Sequence, residues 1–125
     1  MLAEDVTEKI IGAFFESYRN LGFGFLEAAY LNALCLELQR RGVDYSREVS
    51  IEVNYLGVPI GRYRIDLIVA STVLVEIKAT KTLSDADTRQ VLNYLKATNL
   101  EVGLLLHFGP TPKFFRYLYT NDRKQ

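Results

Sequence analysis

The chain is short of several residue types, and each shortage excludes something. Its one cysteine, Cys35, rules out an intramolecular disulfide. Set among leucines, it reads as a small buried hydrophobe rather than a reactive thiol. Only three prolines occur, Pro59, Pro110 and Pro112, and none interrupts a helical pattern. Neither charge is in excess: 15 Lys and Arg balance 15 Asp and Glu. That balance weighs against a protein that coats nucleic acid by charge alone, though it leaves room for a local basic groove. Long apolar runs are also missing. Val102–Leu106 is broken by Gly103 and falls far short of the ~18 residues that a membrane span needs. Met1–Asp5 meets two acids at once, with no basic stretch leading into an apolar one, so no secretory leader is expected. No repeat, low-complexity tract or linker is visible. The expectation is a single domain over residues 1–125, in a reducing, cytoplasmic setting without a membrane partner.

What is present is a clear succession of periodicities. Val6, Ile10, Phe14, Tyr18 and Leu21 recur at helical spacing and predict a first helix over Val6–Asn20, opened by Asp5 and Glu8 as a capping arrangement. Leu21-Gly22-Phe23-Gly24 breaks it. A second helix is predicted over Leu26–Arg41, with Leu31, Leu34 and Leu38 inward and Gly42 as a left-handed cap. Strands follow at Tyr45–Tyr55, Arg62–Ala70 and Thr72–Ala79. Leu56-Gly57-Val58-Pro59 forms the first turn, and a tight turn near Ser71 the second. The third helix is predicted over Asp85–Thr98, with Ser84 as N-cap and Asp87 at the third position. Strands at Leu100–His107 and Phe114–Thr120 complete the pattern, and Asn121–Gln125 reads as a frayed tail. The order α-α-β-β-β-α-β-β predicts an α/β fold, a mixed β-sheet flanked by helices.

One group of residues carries chemistry. Strand side chains alternate, so Glu76 and Lys78 point the same way. A hairpin centred on Ser71 sets Asp66 opposite Glu76. Two neighbouring carboxylates among Ile, Leu and Val repel each other and lose hydration. Two readings follow. A divalent cation such as Mg²⁺ takes one or two carboxylates and keeps positions for water and phosphate, with Lys78 beside them. Alternatively, Arg64, Asp66, Glu76 and Lys78 form a cross-strand ionic group with no metal. Glu27 shares a helical face with Leu31, Leu34 and Leu38, where it either serves the helix dipole or faces the same carboxylates. Gln90 and Tyr94 lie one turn apart on the third helix, as plain core-edge polarity or as part of the site. His107 reads as a satisfied structural histidine. In the last strand Phe115, Tyr117 and Tyr119 share a face near Lys113 and Arg116. Core packing, base stacking and a dimer interface all fit that pattern.

Taken in order, these segments resemble a known family. Gly24-Phe25-Leu26-Glu27-Ala28-Ala29-Tyr30 reads G-x-x-E-x-x-Y. Tyr63-Arg64-Ile65-Asp66-Leu67, Val75-Glu76-Ile77-Lys78-Ala79, Gln90-Val91-Leu92-Asn93-Tyr94 and Gly103-Leu104-Leu105-Leu106 follow. Over roughly Val6 to Tyr119 the chain is similar to the GxxExxY protein family, a branch of the PD-(D/E)XK nuclease superfamily. The resemblance implies a restriction-endonuclease-like core and Mg²⁺-dependent hydrolysis of phosphodiester bonds in DNA or RNA, with Mn²⁺ as a substitute. It implies Asp66 and Glu76 as metal ligands, joined by the Ile77 carbonyl and, directly or through water, by Glu27. Lys78 would be the catalytic lysine and Gln90 the polar residue of the motif helix. Arg64, Tyr94 and Tyr30 are the substrate-contact candidates. Nucleic acid is the implied partner and a homodimer the implied assembly. The chain departs from the family pattern at Asp85–Arg89, where a His-Glu pair is usual, and at His107, where Asn is usual. The alternative is a catalytically silent module, for nucleic-acid binding or protein assembly, that retains the fold.

Overall fold

A computed structural model describes residues 3–124. The elements are α1 (Glu4–Leu21), α2 (Glu27–Arg40), β1 (Tyr45–Tyr55), β2 (Val58–Val69), β3 (Val73–Lys78), α3 (Asp85–Lys96), β4 (Val102–Phe108) and β5 (Pro112–Leu118), then a short 3₁₀ turn at Asn121–Arg123. Their order is the expected one.

The five strands form one sheet in sequence order. β1, β2 and β3 run as an antiparallel meander, α3 carries the chain across so that β4 lies parallel to β3, and β5 returns antiparallel. β3 and β4 are covered on both faces, which is why they read as nearly unbroken apolar runs. One face packs Val75, Ile77 and Leu104 against Phe14 of α1 and Leu34 and Leu38 of α2. The other packs Leu74 and Leu105 against Val91 and Leu95 of α3. Gly103 sets that second spacing: a Cβ there would lie 2.8 Å from Val91 Cγ1 and 3.3 Å from Leu95 Cδ1. The last turn of α2 closes as expected, with Gly42 at φ 68° and the Val43 N–H donating to the Leu38 carbonyl at 3.0 Å.

Several boundaries differ from expectation. α1 begins at Glu4, so Asp5 lies inside its first turn, where both acids favour the helix dipole, and Ala3 caps without a side-chain bond. β2 begins at Val58 rather than Arg62. Leu56 and Gly57 alone make the turn, both left-handed with φ 52° and 76°. Pro59 therefore sits in the strand, opposite a register shift at Val53/Asn54 where a missing N–H is tolerated. β5 begins at Pro112, two residues before the expected start at Phe114. The tail is anchored rather than frayed. Lys124 Nζ donates to the carbonyls of Thr98 (2.9 Å) and Leu100 (2.7 Å), and Asn121 Nδ2 donates to that of Asn99 (3.0 Å). Met1, Leu2 and Gln125, on which the leader and tail readings partly fall, lie outside the described residues. Among the described residues no helix is long and apolar enough to cross a membrane.

Candidate functional site

The β2–β3 hairpin turns through Ala70 and Ser71, both left-handed. Its register, Leu67↔Val75 to Val69↔Val73, is centred on Ser71 as expected. The ladder stops one step before Asp66 and Glu76. There the backbone partners are replaced by side chains. The Asp66 N–H donates to Glu76 Oε2 at 2.8 Å, and the Ile77 N–H donates to Asp66 Oδ2 at 2.8 Å. Each carboxylate stands where a carbonyl of the opposing strand would otherwise accept.

The reason lies in the local backbone. Residues two apart on a strand normally share a face. Yet Ile65 belongs to the α3-side core, while Leu67 and Val69 belong to the α1/α2-side core. The inward alternation of β2 therefore changes phase at Asp66. β1 is irregular at the same level. Glu48 is left-handed (φ 54°) and is skipped between the pairs Arg47↔Leu67 and Val49↔Ile65.

Burial decides the electrostatics. Glu76 is only 3% exposed. Desolvation, then the neighbouring Asp66 charge, raise its pKa from 4.5 to about 8, against the pull of the Asp66 N–H and of Lys78. Desolvation also raises Asp66, opposed by the Ile77 N–H and Lys78 and reinforced by Glu48. Glu27 opens α2 and is raised by burial; Lys78 lowers it, while Asp66 and Asp87 raise it. Glu27, Asp66, Glu76 and Lys78, from three elements, thus share one field. The nearest ion-pair partner of Lys78 Nζ is Asp87 Oδ1, at 3.8 Å. The other oxygen of Asp87 accepts from the Ser84 N–H at 2.9 Å, capping α3 as its position predicted.

The remaining candidates divide. Tyr94 joins the site: burial raises its hydroxyl, and the charges of Glu76 and Asp66 raise it further. Gln90 reaches the site through Tyr94, its Nε2 donating to the tyrosine hydroxyl at 3.0 Å. Arg64 lies at the rim, exposed and 3.6 Å from Glu48 Oε1. Tyr30 is corrected. Its side chain is fully buried, its ring stacks 4.2 Å from Phe108, and its hydroxyl donates to the Gly22 carbonyl, so it holds the α1–α2 connection and offers substrate no surface. His107 is buried, with Nε2 2.7 Å from the Thr80 carbonyl, and steadies the segment after Lys78 as a structural histidine would. The C-terminal aromatics divide: Tyr117 of β5 and Tyr119 just beyond it pack into the α3-side core, and Phe114 meets Phe15 at 6.0 Å. Sequence reasoning did not place Glu48 or Asp87 in the site. Asp87 carried a signal only as a helix cap, and nothing in the alternation of β1 announces a left-handed residue at position 48.

Among the described residues no three His, Cys, Asp or Glu side chains stand close enough together to hold a metal ion. Glu27 therefore contributes to the field of the pair without joining it in one contact set. The donor chemistry nonetheless fits a divalent cation. Asp66 and Glu76 are adjacent hard oxygen donors, each with one oxygen committed to an amide and a second left over, in a place where two negative charges are costly.

Comparison with known proteins extends this picture. The crystal structure of SSO0001 aligns with a TM-score of 0.51 at 22% identity, over 78% of this chain and 55% of that one. This chain thus spans about half of that structure's length, and at such identity the likeness concerns the fold alone. Curated proteins give no match. The family model of the PD-(D/E)XK nuclease superfamily matches residues 4–116. That span runs from α1 into β5 and includes the acid pair and its lysine, so the chain belongs to the PD-(D/E)XK nuclease superfamily, with a restriction-endonuclease-like fold.

Proposed function

We propose that this protein is a divalent-metal-dependent phosphodiesterase of the GxxExxY branch, hydrolysing DNA or RNA with Mg²⁺ or Mn²⁺. The observation that carries the proposal is the Asp66–Glu76 pair, half-buried at Asp66 and buried at Glu76, beside Lys78. A bound cation would supply an activated water and Lewis acidity at this position. The protein's own groups do the rest. Asp66 and Glu76 would hold the cation. Lys78, drawn toward Glu27, Asp66 and Glu76 and only loosely held by Asp87, stabilises negative charge that develops on a phosphate. Glu27, at the opening of α2, helps orient water.

Incubating purified protein with Mg²⁺ or Mn²⁺ and a panel of DNA and RNA strands and duplexes tests the reading. Cleavage is expected, and Lys78→Ala and Glu76→Gln are expected to abolish it. Absence of cleavage, or cleavage that survives both substitutions, overturns it.

A second reading has its own observation. Each carboxylate completes the hydrogen bonding of the opposing strand, a role that stabilises the sheet with no metal at all. On that reading the protein is a silent binding or assembly module, and calorimetric titration with Mn²⁺ shows no heat of binding. Self-association belongs to either reading. β5 is a sheet edge with Phe114, Phe115 and Leu118 exposed, and sedimentation equilibrium measures whether two copies pair.

A further inference from the structure

Beside the acid pair, α3 and the outer part of the β1–β2 hairpin enclose a groove of about 660 Å³, within the size range of small-molecule sites. Two tyrosines form its walls. Tyr63 comes from β2 and Tyr94 from α3, with ring centroids 6.0 Å apart and planes tilted by 49°. Tyr63 is 50% exposed, an aromatic surface left open to solvent. Its ring folds back along the strand over Gly61, where a Cβ would come within 3.1 Å of ring carbon Cε2. The lining also holds the amides of Gln90, Asn93 and Asn54 and the guanidinium of Arg89. Gln90 uses its Nε2 on the Tyr94 hydroxyl, which leaves its carbonyl oxygen available as an acceptor. Tyr94 belongs to both places, lining the groove while feeling the charges of Glu76 and Asp66.

We propose that this groove is a nucleobase subsite. It takes one unpaired base of a single-stranded or locally opened nucleic acid, and the adjoining phosphate then lies at Asp66, Glu76 and Lys78. The inference rests on the phosphodiester reading given above and names its substrate class. Aromatic rings bind the face of a base, and side-chain amides bind its edge. Inside a duplex both faces are covered by neighbours and the pairing edge is used, so a paired base offers this groove nothing to read. The charge balance points the same way. With 15 basic against 15 acidic residues, general attraction to a phosphate backbone is weak, and stacking must supply affinity.

The test uses full-length protein carrying Lys78→Ala, so that binding is read without cutting. Fluorescence anisotropy with Mn²⁺ present compares a labelled poly-dT strand, a duplex of equal length, and a strand of the same length in which every nucleotide is abasic; the abasic strand is expected to bind no better than the Tyr63→Ala variant binds poly-dT. The single strand is expected to bind more tightly than the duplex. Adding Tyr63→Ala is expected to weaken that binding by about 10- to 100-fold, the loss of one base–aromatic stack. Gly61→Ala, which pushes the Tyr63 ring aside while keeping it, is expected to give a smaller loss. Equal affinity for duplex, or no change in single-strand affinity in either variant, overturns the subsite. If wild-type protein cuts duplex while Tyr63→Ala changes nothing, the subsite fails and the phosphodiesterase reading stands. Tyr63-dependent strand binding, with no cleavage of any strand or duplex by the wild-type protein, upholds the base subsite and overturns hydrolysis.

Discussion

Glu76 carries two roles in one carboxyl group. One oxygen accepts the Asp66 N–H, and the proton equilibrium of the group is moved from 4.5 to about 8 by burial and by Asp66. A carboxyl raised on folding contributes stability that is fully present below its unfolded pKa and is lost as pH rises through its folded pKa. The metal-free protein is therefore expected to lose stability from about pH 4.5 to about pH 8, approaching a slope of about 1.4 kcal/mol per pH unit for one proton. Urea midpoints measured across that range check this, and Glu76→Gln is expected to flatten the slope. The same linkage makes cation binding proton-coupled: titration with Mn²⁺ near pH 6.5 is expected to release protons, read as buffer-dependent heats. Glu76→Ala differs from Glu76→Gln. It removes the acceptor of a buried N–H and is expected to cost about 1–3 kcal/mol, seen as a lowered urea midpoint, where the amide keeps the bond.

At the scale of elements, the β1–β2 hairpin shows how function and local propensity diverge. Leu56 takes a left-handed turn position that favours Asn or Gly, and it is 86% exposed, so no packing holds it there. Leu56→Asn is expected to raise stability by about 1 kcal/mol in urea unfolding without changing cleavage. The residues that made the fold legible were periodic ones: Leu31, Leu34 and Leu38 for α2, and Val73 to Ile77 for a buried strand. The hairpin register followed from counting outward from Ser71, which set Asp66 opposite Glu76. What could not be read was departure from period. The left-handed Glu48 and the change of phase between Ile65 and Leu67 depend on how neighbouring strands meet, and no single strand's alternation encodes that. Tyr30 failed for a related reason. Its place in a conspicuous motif suggested substrate contact, whereas its ring packs on Phe108, some eighty residues away in the chain.

At the scale of the whole molecule, the sheet is a partition between two apolar layers, and the C-terminal turn ties one side shut. Lys124 and Asn121 satisfy three carbonyls of the connection between α3 and β4. Deleting residues 121–125 is expected to cost about 1–3 kcal/mol, measured by thermal unfolding, since those carbonyls then lose charged or amide donors. The exchange of carboxylate for carbonyl between β2 and β3 has a further consequence, for inheritance. Positions 66 and 76 are constrained by sheet cohesion as well as by chemistry. A descendant of this chain that no longer cut nucleic acid would still be selected to keep an acceptor oxygen at both, as Asp, Asn, Glu or Gln. Loss of activity in such a lineage should appear first at Lys78 or Glu27, whose side chains complete no strand's hydrogen bonding.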